Sequence, residues 1–535
     1  MDNRNRLLYW LPLLLALMLV AGMYIGTRMI NRHRIGILNL NHNRTSKVGD
    51  VIGYIEQDYV DSVSKMKLEE DAIIGMLEEL DPHSQYFTAE EFREMNEPLV
   101  GNFEGIGVEF RIVKDSITVM HIIPGGPSEK IGIMPGDRII RINDSLVAGI
   151  GITNKETIKQ LKGERGTRVA VDVWRPRVND VLQFTITRDV IPIYSIDVSY
   201  MVNDSVGYVK LSRFSATTPE EFDNALKELK KQGMQNLILD LRGNVGGYLK
   251  SAIMMADDFL TKNKLIVYTE GNNRPRQYAY ASRRGKFEKE NVIVLIDEGS
   301  ASASEIIAGA IQDNDRGIVV GRRSFGKGLV QEQLELSDGS VIRLTVARYY
   351  TPTGRCIQRP YENGKEDYNN DLHERLVNGE LQNPDSIHFP DSLKYYTQGG
   401  KLVYGGGGIM PDIYVPVRSG EEFVYFNKLV NKGVIYQFAF DYMDPRRENL
   451  LGKYKTVNDY VDEFWISDRM MAEFYDFAEE GGVEKDQLGI ETSGERIRNL
   501  IKAYIGRNIY NNEGFYPVYN QKDPVFLRAV EEFSN

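Results

Sequence analysis

The chain has 535 residues, more than a single hydrophobic core usually supports, so we expect three or four domains. With 42% apolar and 26% charged residues, it lies outside the composition range in which chains stay disordered. A formal net charge of -11 provides no overall basic surface, so nucleic acid is not expected as a partner. Cys356 is the only cysteine, which excludes an intrachain disulfide.

The first predicted element is a transmembrane helix over residues 7–26. This segment has twenty residues without a charge, which at ~1.5 Å per residue spans ~30 Å of hydrocarbon. A cleaved signal peptide is the alternative, but no clear cleavage site follows the segment. Arginines lie on both sides, and the positive-inside rule alone favours a cytoplasmic body. Residues 1–27 are assigned to a cytoplasmic tail and membrane anchor.

Residues 28–100 are predicted to form a helical N-terminal region. Between Val51 and Leu80 the apolar residues recur at helical spacing. The pattern ends at LDPHSQYF, where Pro82 disfavours helix at the residue before it.

Residues 101–190 are predicted to form a compact β-rich module. Short alternating runs such as SITVMHII and RVAVDVW are separated by glycine and proline. GIGVEF followed by IIPGGPSEKIGIMPGDRIIRIND resembles a PDZ domain. In that family Gly105, Ile106, Gly107 and Val108 would form the loop that binds a peptide's terminal carboxylate, and the next strand would accept the peptide as an added strand. The alternative is a structural module whose glycines only form turns.

Residues 191–418 alternate strands and helices and are predicted to form an α/β core. Within them, the polar segment 362–396 is predicted to be a long surface insertion. Residues 419–535 show helical periodicity with many aromatic and charged residues, and we expect a helical C-terminal domain. The fold class is therefore multidomain α+β, and the terminal helical regions offer surfaces for a homodimer.

A strand that ends at Asp297 is followed by small residues and a predicted helix, with Ser302 at the turn between them. A helix N-terminus presents free N–H groups that can stabilise the oxyanion formed when a hydroxyl attacks a carbonyl. Three serines stand here, Ser300, Ser302 and Ser304, and each is also an ordinary helix-capping candidate.

Lys327 lies between two glycines in GRRSFGKGLVQ, which leaves its stem sterically open. A lysine acts as a base only when neutral, so its ordinary pKa of ~10.4 has to fall through burial and nearby positive charge. Arg322 and Arg323 could supply that charge, and an ordinary surface lysine is the alternative.

The combination of SASASE and FGKGLVQ, preceded by DLRGNVGG, resembles the C-terminal processing peptidases, also called tail-specific proteases. The resemblance covers roughly residues 50–416 and includes LDPHSQYF and GGGGIMPDIYVP. It implies that Ser302 is the nucleophile, Lys327 the general base and Gln331 the residue that orients the lysine. Backbone amides of Ala303 and of a glycine in Gly246-Gly247 would form the oxyanion hole. Asp240 and Arg242 are interpreted as structural, and Glu305 as at best auxiliary.

A serine and lysine pair suffices for peptide hydrolysis, so no cofactor or metal is expected. None of the six histidines lies in an HExxH zinc pattern. Two rival motifs overlap Lys327. A P-loop fails because Gly328 replaces the serine or threonine that would bind magnesium. The Ser324-x-x-Lys pattern of β-lactamase-like enzymes needs a helix, which the flanking glycines disfavour.

The sequence therefore predicts a serine endopeptidase that binds the C-terminal tails of unfolded or tail-exposed proteins through its PDZ domain and cuts them. The alternative is a non-catalytic, membrane-anchored PDZ scaffold. The resemblance also implies a location in the inner membrane of a Gram-negative cell, with one span and the catalytic body in the periplasm.

Overall fold

The computed structural model describes residues 16–23, 47–176, 178–282, 285–417 and 420–534. The chain divides into two compact units, Met1–Gly75 and Met76–Asn535. The predicted anchor at 7–26 lies mostly outside the described residues, and its described part, 16–23, is helical with exposed side chains. Within those described ranges, no helix is both long and apolar enough to cross a bilayer.

Helices and strands occupy most of the described residues. The α-helices are α1 (Lys47–Asp58), α2 (Lys65–Glu78), α3 (Ala89–Val100), α4 (Pro127–Lys130), α5 (Asn154–Leu161), α6 (Thr218–Lys231), α7 (Leu249–Phe259), α8 (Ala303–Asp313), α9 (Lys365–Val377), α10 (Glu421–Asn431), α11 (Val434–Met443), α12 (Arg447–Lys453), α13 (Val457–Glu463), α14 (Asp468–Glu480), α15 (Gln487–Tyr519) and α16 (Pro524–Glu532). The strands are β1 (Gln85–Phe87), β2 (Asn102–Gly105), β3 (Val108–Val113), β4 (Ser116–Ile122), β5 (Arg138–Ile142), β6 (Ser145–Leu146), β7 (Arg168–Arg175), β8 (Asp180–Thr187), β9 (Asp189–Pro192), β10 (Ile196–Met201), β11 (Val206–Leu211), β12 (Asn236–Asp240), β13 (Leu265–Gly271), β14 (Arg274–Tyr280), β15 (Asn291–Ile296), β16 (Ile318–Gly321), β17 (Leu329–Glu335), β18 (Val341–Tyr350), β19 (Lys394–Tyr396), β20 (Leu402–Tyr404) and β21 (Ile413–Tyr414).

The β-rich module is an antiparallel sheet in the order β3-β4-β5-β7-β8, with β6 beside β5. Alternate residues of β7, namely Val169, Val171 and Val173, are buried in its core, as the two-residue period of a strand requires. In the part of the chain that the structure describes, β3 pairs only with β4. Its other edge can therefore accept an added strand.

The α/β core is built on a sheet in the order β10-β11-β12-β15-β16-β21. The pairs from β11 to β21 are parallel, and β10 is antiparallel to β11. β15 is buried along almost its whole length, because helices cover both faces of the sheet. Helices α6, α7 and α8 share the hydrophobic core on one face, and α16 contributes Val525, Phe526 and Ala529 to the core on the other. The loops after β12 and β15 therefore lie side by side, at the carboxyl ends of adjacent parallel strands.

A second, antiparallel sheet in the order β1-β18-β13-β14 stands beside this core, with β17 also paired to β18. β17 begins two residues after Lys327, and β1 comes from the LDPHSQYF segment. Because β1 and β17 both pair with β18, this sheet places the lysine segment and LDPHSQYF next to the same strand.

The helical C-terminal segment packs against both the α/β core and the β-rich module. Its own core also includes Met120 of β4. On the core side, Tyr516 donates a hydrogen bond to Asp197, and Asn520 donates one to Tyr200. The segment therefore spans the two modules instead of forming an isolated appendage.

Residues 362–396, predicted to be a long surface insertion, also contain buried side chains. The segment contains α9, and Arg375 of that helix is 3% exposed. Its guanidinium donates to the carbonyl oxygens of Ser324 and Phe325, at 2.8 and 3.1 Å. Part of the polar segment thus supports the turn that leads to Lys327.

Candidate active site

Ser302 stands at the N-terminus of α8, directly after the loop that follows β15. Its backbone has φ 55° and ψ -110°, a conformation that costs a residue other than glycine about 1–3 kcal/mol. Small residues precede and follow Ser302 in the sequence, which lets neighbouring backbone approach the serine closely. A strained serine at a helix N-terminus is the arrangement expected of an exposed nucleophile near free N–H groups.

The two neighbouring serines have structural partners. The Ser300 hydroxyl donates to the Leu241 carbonyl oxygen at 2.9 Å, and the Ser304 hydroxyl donates to the Asn244 carbonyl oxygen at 2.8 Å. Both side chains are fully buried, whereas Ser302 is half-buried. Of the three capping candidates, the geometry thus leaves Ser302 as the accessible one.

Ser302 and Lys327 are held together through their main chains. The Glu305 Oε2 atom accepts the N–H of Ser302 at 2.8 Å and the N–H of Lys327 at 2.9 Å. The Tyr349 hydroxyl lies 3.1 Å from the Ser302 carbonyl oxygen and 2.6 Å from that of Lys327. One carboxylate and one phenol therefore hold the two segments at a fixed spacing.

Glu305 is fully buried, and its other oxygen is equally engaged. Oε1 accepts the Ser324 hydroxyl at 2.6 Å and the Gly326 N–H at 2.7 Å. Burial raises the pKa of Glu305 to about 7, and the hydrogen bonds that it accepts oppose that rise. Because all four partners donate to it, the arrangement suits the ionised carboxylate.

The Lys327 ammonium reaches Gln331, with Nζ donating to Oε1 at 3.1 Å. Burial lowers the pKa of Lys327 to about 8, and the Arg343 cation adds to the decrease, against Asp81 and Glu305. Arg322 and Arg323, the cations that the sequence offered, are instead paired with Glu298 and Glu380. Burial and the Arg343 cation of β18 thus favour the neutral form of Lys327, which is the form that can act as a base.

Gln331 is itself held by the LDPHSQYF segment. Its Nε2 donates to the His83 carbonyl oxygen at 2.6 Å. That segment is tied to β18 because Asp81 accepts hydrogen bonds from the N–H groups of His83 and Ser84 and from the Thr345 hydroxyl. The glutamine amide is therefore oriented with its oxygen towards the lysine.

The loop after β12 brings Gly246 and Gly247 to Ser302. A Cβ atom added to Gly246 would lie 2.8 Å from the Ser302 Cβ and 3.0 Å from the Ala303 nitrogen. Gly246 and Gly247 adopt φ values of 101° and 148°. In this structure the Gly246 N–H donates to Asn244 Oδ1 at 2.9 Å. The Gly246 amide, next to the Ala303 nitrogen, is therefore already engaged within its own loop.

Neither rival motif at Lys327 fits the structure. Ser324 is fully buried, and its oxygen is engaged by Glu305 and by the Ile409 N–H, so it is not accessible to a substrate. The residues around it are not helical, and β17 follows Lys327 where a P-loop would require a helix.

The predicted tail-binding residues lie between β2 and β3. Gly105 ends β2, Val108 begins β3, and Gly107 has φ 75°. Ile106 is buried, and its carbonyl oxygen accepts the Ser128 hydroxyl at 2.6 Å. The four residues therefore form a turn at the start of β3, whose other edge pairs with no strand among the described residues.

Sequence reasoning underestimated Glu305 and missed Tyr349. The signal for Glu305 was present, because serine followed three residues later by glutamate at a helix start is the capping-box pattern. Its second role, binding the Gly326 and Lys327 amides, joins segments about twenty residues apart and has no local signal. Tyr349 reaches the site only because β18 pairs with β17.

Comparison with protein families gives four matches along the chain. A family described as peptidase family S41 matches residues 205–366, and the PDZ domain family matches residues 105–189. The N-terminal domain of activating protease CtpB matches residues 18–91. A family of unknown function matches residues 425–511.

Three curated relatives are named as carboxy-terminal processing proteases. A carboxy-terminal-processing protease from Bartonella bacilliformis is 35% identical over 347 residues, covering 63% of this chain and 79% of the relative. The carboxy-terminal processing protease CtpA of Bacillus subtilis is 35% identical over 318 residues, covering 59% of this chain and 67% of the relative. CtpB of the same organism is 37% identical over 317 residues, covering 58% and 65%.

Proposed function

Because this chain belongs to peptidase family S41 and is a serine-type peptidase with a PDZ domain, we propose that Ser302 is its nucleophile, Lys327 its general base and Gln331 the residue that orients the lysine. The observation that carries the proposal is the shared binding of the Ser302 and Lys327 main chains by Glu305 and Tyr349. The buried lysine, with its lowered pKa, supports the assignment of the base.

The reaction follows from these groups. Neutral Lys327 takes the proton from the Ser302 hydroxyl as the oxygen attacks the scissile carbonyl carbon. The negative charge on the carbonyl oxygen is stabilised by the Ala303 N–H, at the positive end of the α8 dipole, and by a glycine N–H of Gly246-Gly247. The lysine then returns the proton to the leaving amine, which leaves an acyl-enzyme. Water, deprotonated by the same lysine, releases the acid.

The substrates are unfolded or tail-exposed proteins. The terminal carboxylate of a tail binds the turn formed by Gly105, Ile106, Gly107 and Val108, and the residues before it add as a strand to the open edge of β3. Peptide bonds near the tail are then hydrolysed at Ser302. The open edge of β3 and the names of the relatives support this substrate class.

Three finer predictions belong to the same proposal. Residues 7–26 anchor the chain in the inner membrane, and the catalytic body faces the periplasm. A reporter fused after the C-terminus that is active only in the cytoplasm would contradict this placement.

The boundaries at residues 27, 100, 190 and 418 divide the anchor, helical region, PDZ domain, protease core and helical C-terminal domain. A homodimer formed through the terminal helical regions is tested by light scattering of the purified chain.

The decisive experiment compares the detergent-solubilised full chain with its Ser302→Ala and Lys327→Ala variants on an unfolded protein such as casein. Cleavage by the unchanged chain and none by either variant is the expected result. Equal cleavage by Ser302→Ala would remove the serine from its assigned role. If the unchanged chain does not cleave casein even when a tail peptide is added, the result favours the alternative, a PDZ scaffold that binds tails without cutting them.

A further inference from the structure

The C-terminal helical segment reaches the loop that flanks Ser302. Asp523, the residue that precedes α16, is 7% exposed. Its two carboxylate oxygens lie 2.9 and 3.0 Å from Nη1 of Arg242. The same carboxylate caps α16 by accepting the Phe526 N–H at 2.7 Å. A residue at the far end of the chain thus makes an ion pair with the motif DLRGNVGG.

Arg242 lies between two carboxylates. Its Nη2 donates to Asp240 Oδ2 at 2.6 Å, and its own N–H donates to Asp240 Oδ1 at 2.9 Å. Lys210 pairs with Asp240 as well. Burial would lower the pKa of Arg242, but Asp240 and Asp523 raise it well above its ordinary value. The buried cluster holds two cations and two carboxylates, so removal of one carboxylate leaves a buried positive charge without its partner.

The loop from Leu241 to Gly247 connects Arg242 of this ion pair to the backbone beside Ser302. The Asn244 carbonyl oxygen, in the middle of the loop, accepts the Ala301 N–H at 3.0 Å and the Ser304 hydroxyl at 2.8 Å. Gly246 then packs directly against Ser302. A continuous set of contacts therefore runs from Arg242 along the loop to the backbone beside Ser302.

We propose that Asp523 is a positioning residue of this peptidase, which holds the Arg242 end of loop 241–247 so that the loop amides are aligned with the oxyanion at Ser302. This inference rests on the proposed function. It assigns a role in the reaction to the helical C-terminal segment, whose described residues make none of the contacts reported above for Ser302 and Lys327.

Docking of the C-terminal segment does not depend on Asp523 alone. Val525, Phe526 and Ala529 are buried against the core sheet. The Tyr516 hydroxyl donates to Asp197 at 3.2 Å, a separate contact at the same interface. Tyr516→Phe is therefore a control for loosening of the interface without loss of the charge.

The test measures kcat and KM of the full chain on fluorescently labelled casein. Asp523→Asn keeps the size of the side chain and a good helix-capping group but removes the charge. We expect kcat to fall at least tenfold with KM within twofold, because binding of the tail is unaffected while alignment of the oxyanion loop is lost. The matched controls are Tyr516→Phe and Glu531→Gln, a carboxylate of α16 in an exposed pair with Arg528. Both should keep kcat within twofold.

An unchanged kcat in folded Asp523→Asn would overturn the proposal, as would an equal loss in Tyr516→Phe. If Asp523→Asn does not fold, Asp523→Glu keeps the charge on a side chain one methylene longer. It should lower kcat several-fold at constant KM, and an unchanged kcat there would also overturn the proposal. Failure of the proposed function is a separate result, because it appears as cleavage that survives Ser302→Ala with Asp523 intact.

Discussion

At the scale of single residues, Glu305 decides the geometry of the site. Its carboxylate binds the backbone of the serine turn and of the lysine turn, and burial in a fully enclosed position makes each of those hydrogen bonds costly to lose. The hydrogen bonds described for Glu305 are all made with the serine and lysine turns, and none of them involves a substrate. We therefore regard it as a positioning residue whose contribution acts through Ser302 and Lys327.

Glu305→Gln should lower kcat by about 100-fold, the size of loss that accompanies a misplaced reacting group. The NH2 group of glutamine would face N–H donors in place of the carboxylate oxygen that accepts their hydrogen bonds. The serine and lysine turns would therefore separate. Casein cleavage and the unfolding temperature are the measurements. Ser324→Ala, which removes one of the four donors, is the matched control and should retain most activity. A fully active Glu305→Gln variant would contradict this interpretation.

The lowered pKa of Lys327 predicts how activity depends on pH. Because the lysine acts when neutral, the rate should rise with pH and reach half its maximum near pH 8. Arg343→Gln removes a cation that lowers this pKa, so the half-maximal point should move to higher pH. Profiles of kcat from pH 6 to 10 for both proteins check this. A midpoint that is the same in both would show that Arg343 does not act on the lysine.

At the scale of elements, the site depends on the close approach of the segments that follow β11 and β12. Gly247, after β12, is a tight point, because a Cβ atom there would lie 2.1 Å from the carbonyl oxygen of Phe214, which follows β11. The nearest atoms are all backbone atoms of Phe214, so no flexible side chain could move away. The element pairing therefore requires glycine at this position.

Gly247→Ala should abolish cleavage and lower the unfolding temperature, since the loop can accept the methyl group only by moving away from Phe214. Gly243→Ala, in the same loop, is the control. It has φ 67° but no atom within 4 Å of an added Cβ, so it should cost only about 1–2 kcal/mol and keep most activity. Circular dichroism melting and casein cleavage distinguish the two. Equal behaviour of both variants would contradict the steric argument.

At the scale of the whole molecule, the helical C-terminal segment joins the PDZ module to the protease core. On the PDZ side, the Arg111 guanidinium carbon lies 4.0 Å from the centre of the Tyr436 ring. His121 of β4 lies close to Asn511, at the break within α15. The segment therefore constrains the PDZ module on one side and the oxyanion loop on the other.

This interface should weaken in acid. Burial, together with Arg507 and Arg447, lowers the pKa of His121 to about 4. In the unfolded chain His121 binds a proton near pH 6.5, whereas in the folded chain it does so only near pH 4. The contribution of neutral His121 to folding stability is therefore complete above pH 6.5 and is lost as the pH falls towards 4. His121→Gln should reduce the slope of the unfolding temperature against pH in this range, whereas His373→Gln should leave it unchanged. Parallel slopes in all three proteins would count against a buried neutral His121.

The sequence by itself determined many of the elements and supplied the candidates for the site. Local patterns predicted helices at Pro219–Gln232 and from Ala303, and the structure confirms them within a residue or two. The resemblance to the C-terminal processing peptidases assigned roles to Ser302, Lys327 and Gln331, and those roles stay predictions. The helix predictions succeeded because hydrophobic periodicity and turn chemistry act over a few residues.

Only the tertiary structure decided what holds those residues in place. The bond from Gln331 to the His83 carbonyl, the bond from Tyr349 to the lysine turn, and the ion pair of Asp523 with Arg242 join parts of the chain that are far apart in sequence. Such contacts depend on which strands become neighbours and on how the last helix docks, and neither leaves a local pattern. The serine and lysine could be read from motifs, whereas their alignment is a property of the packed molecule.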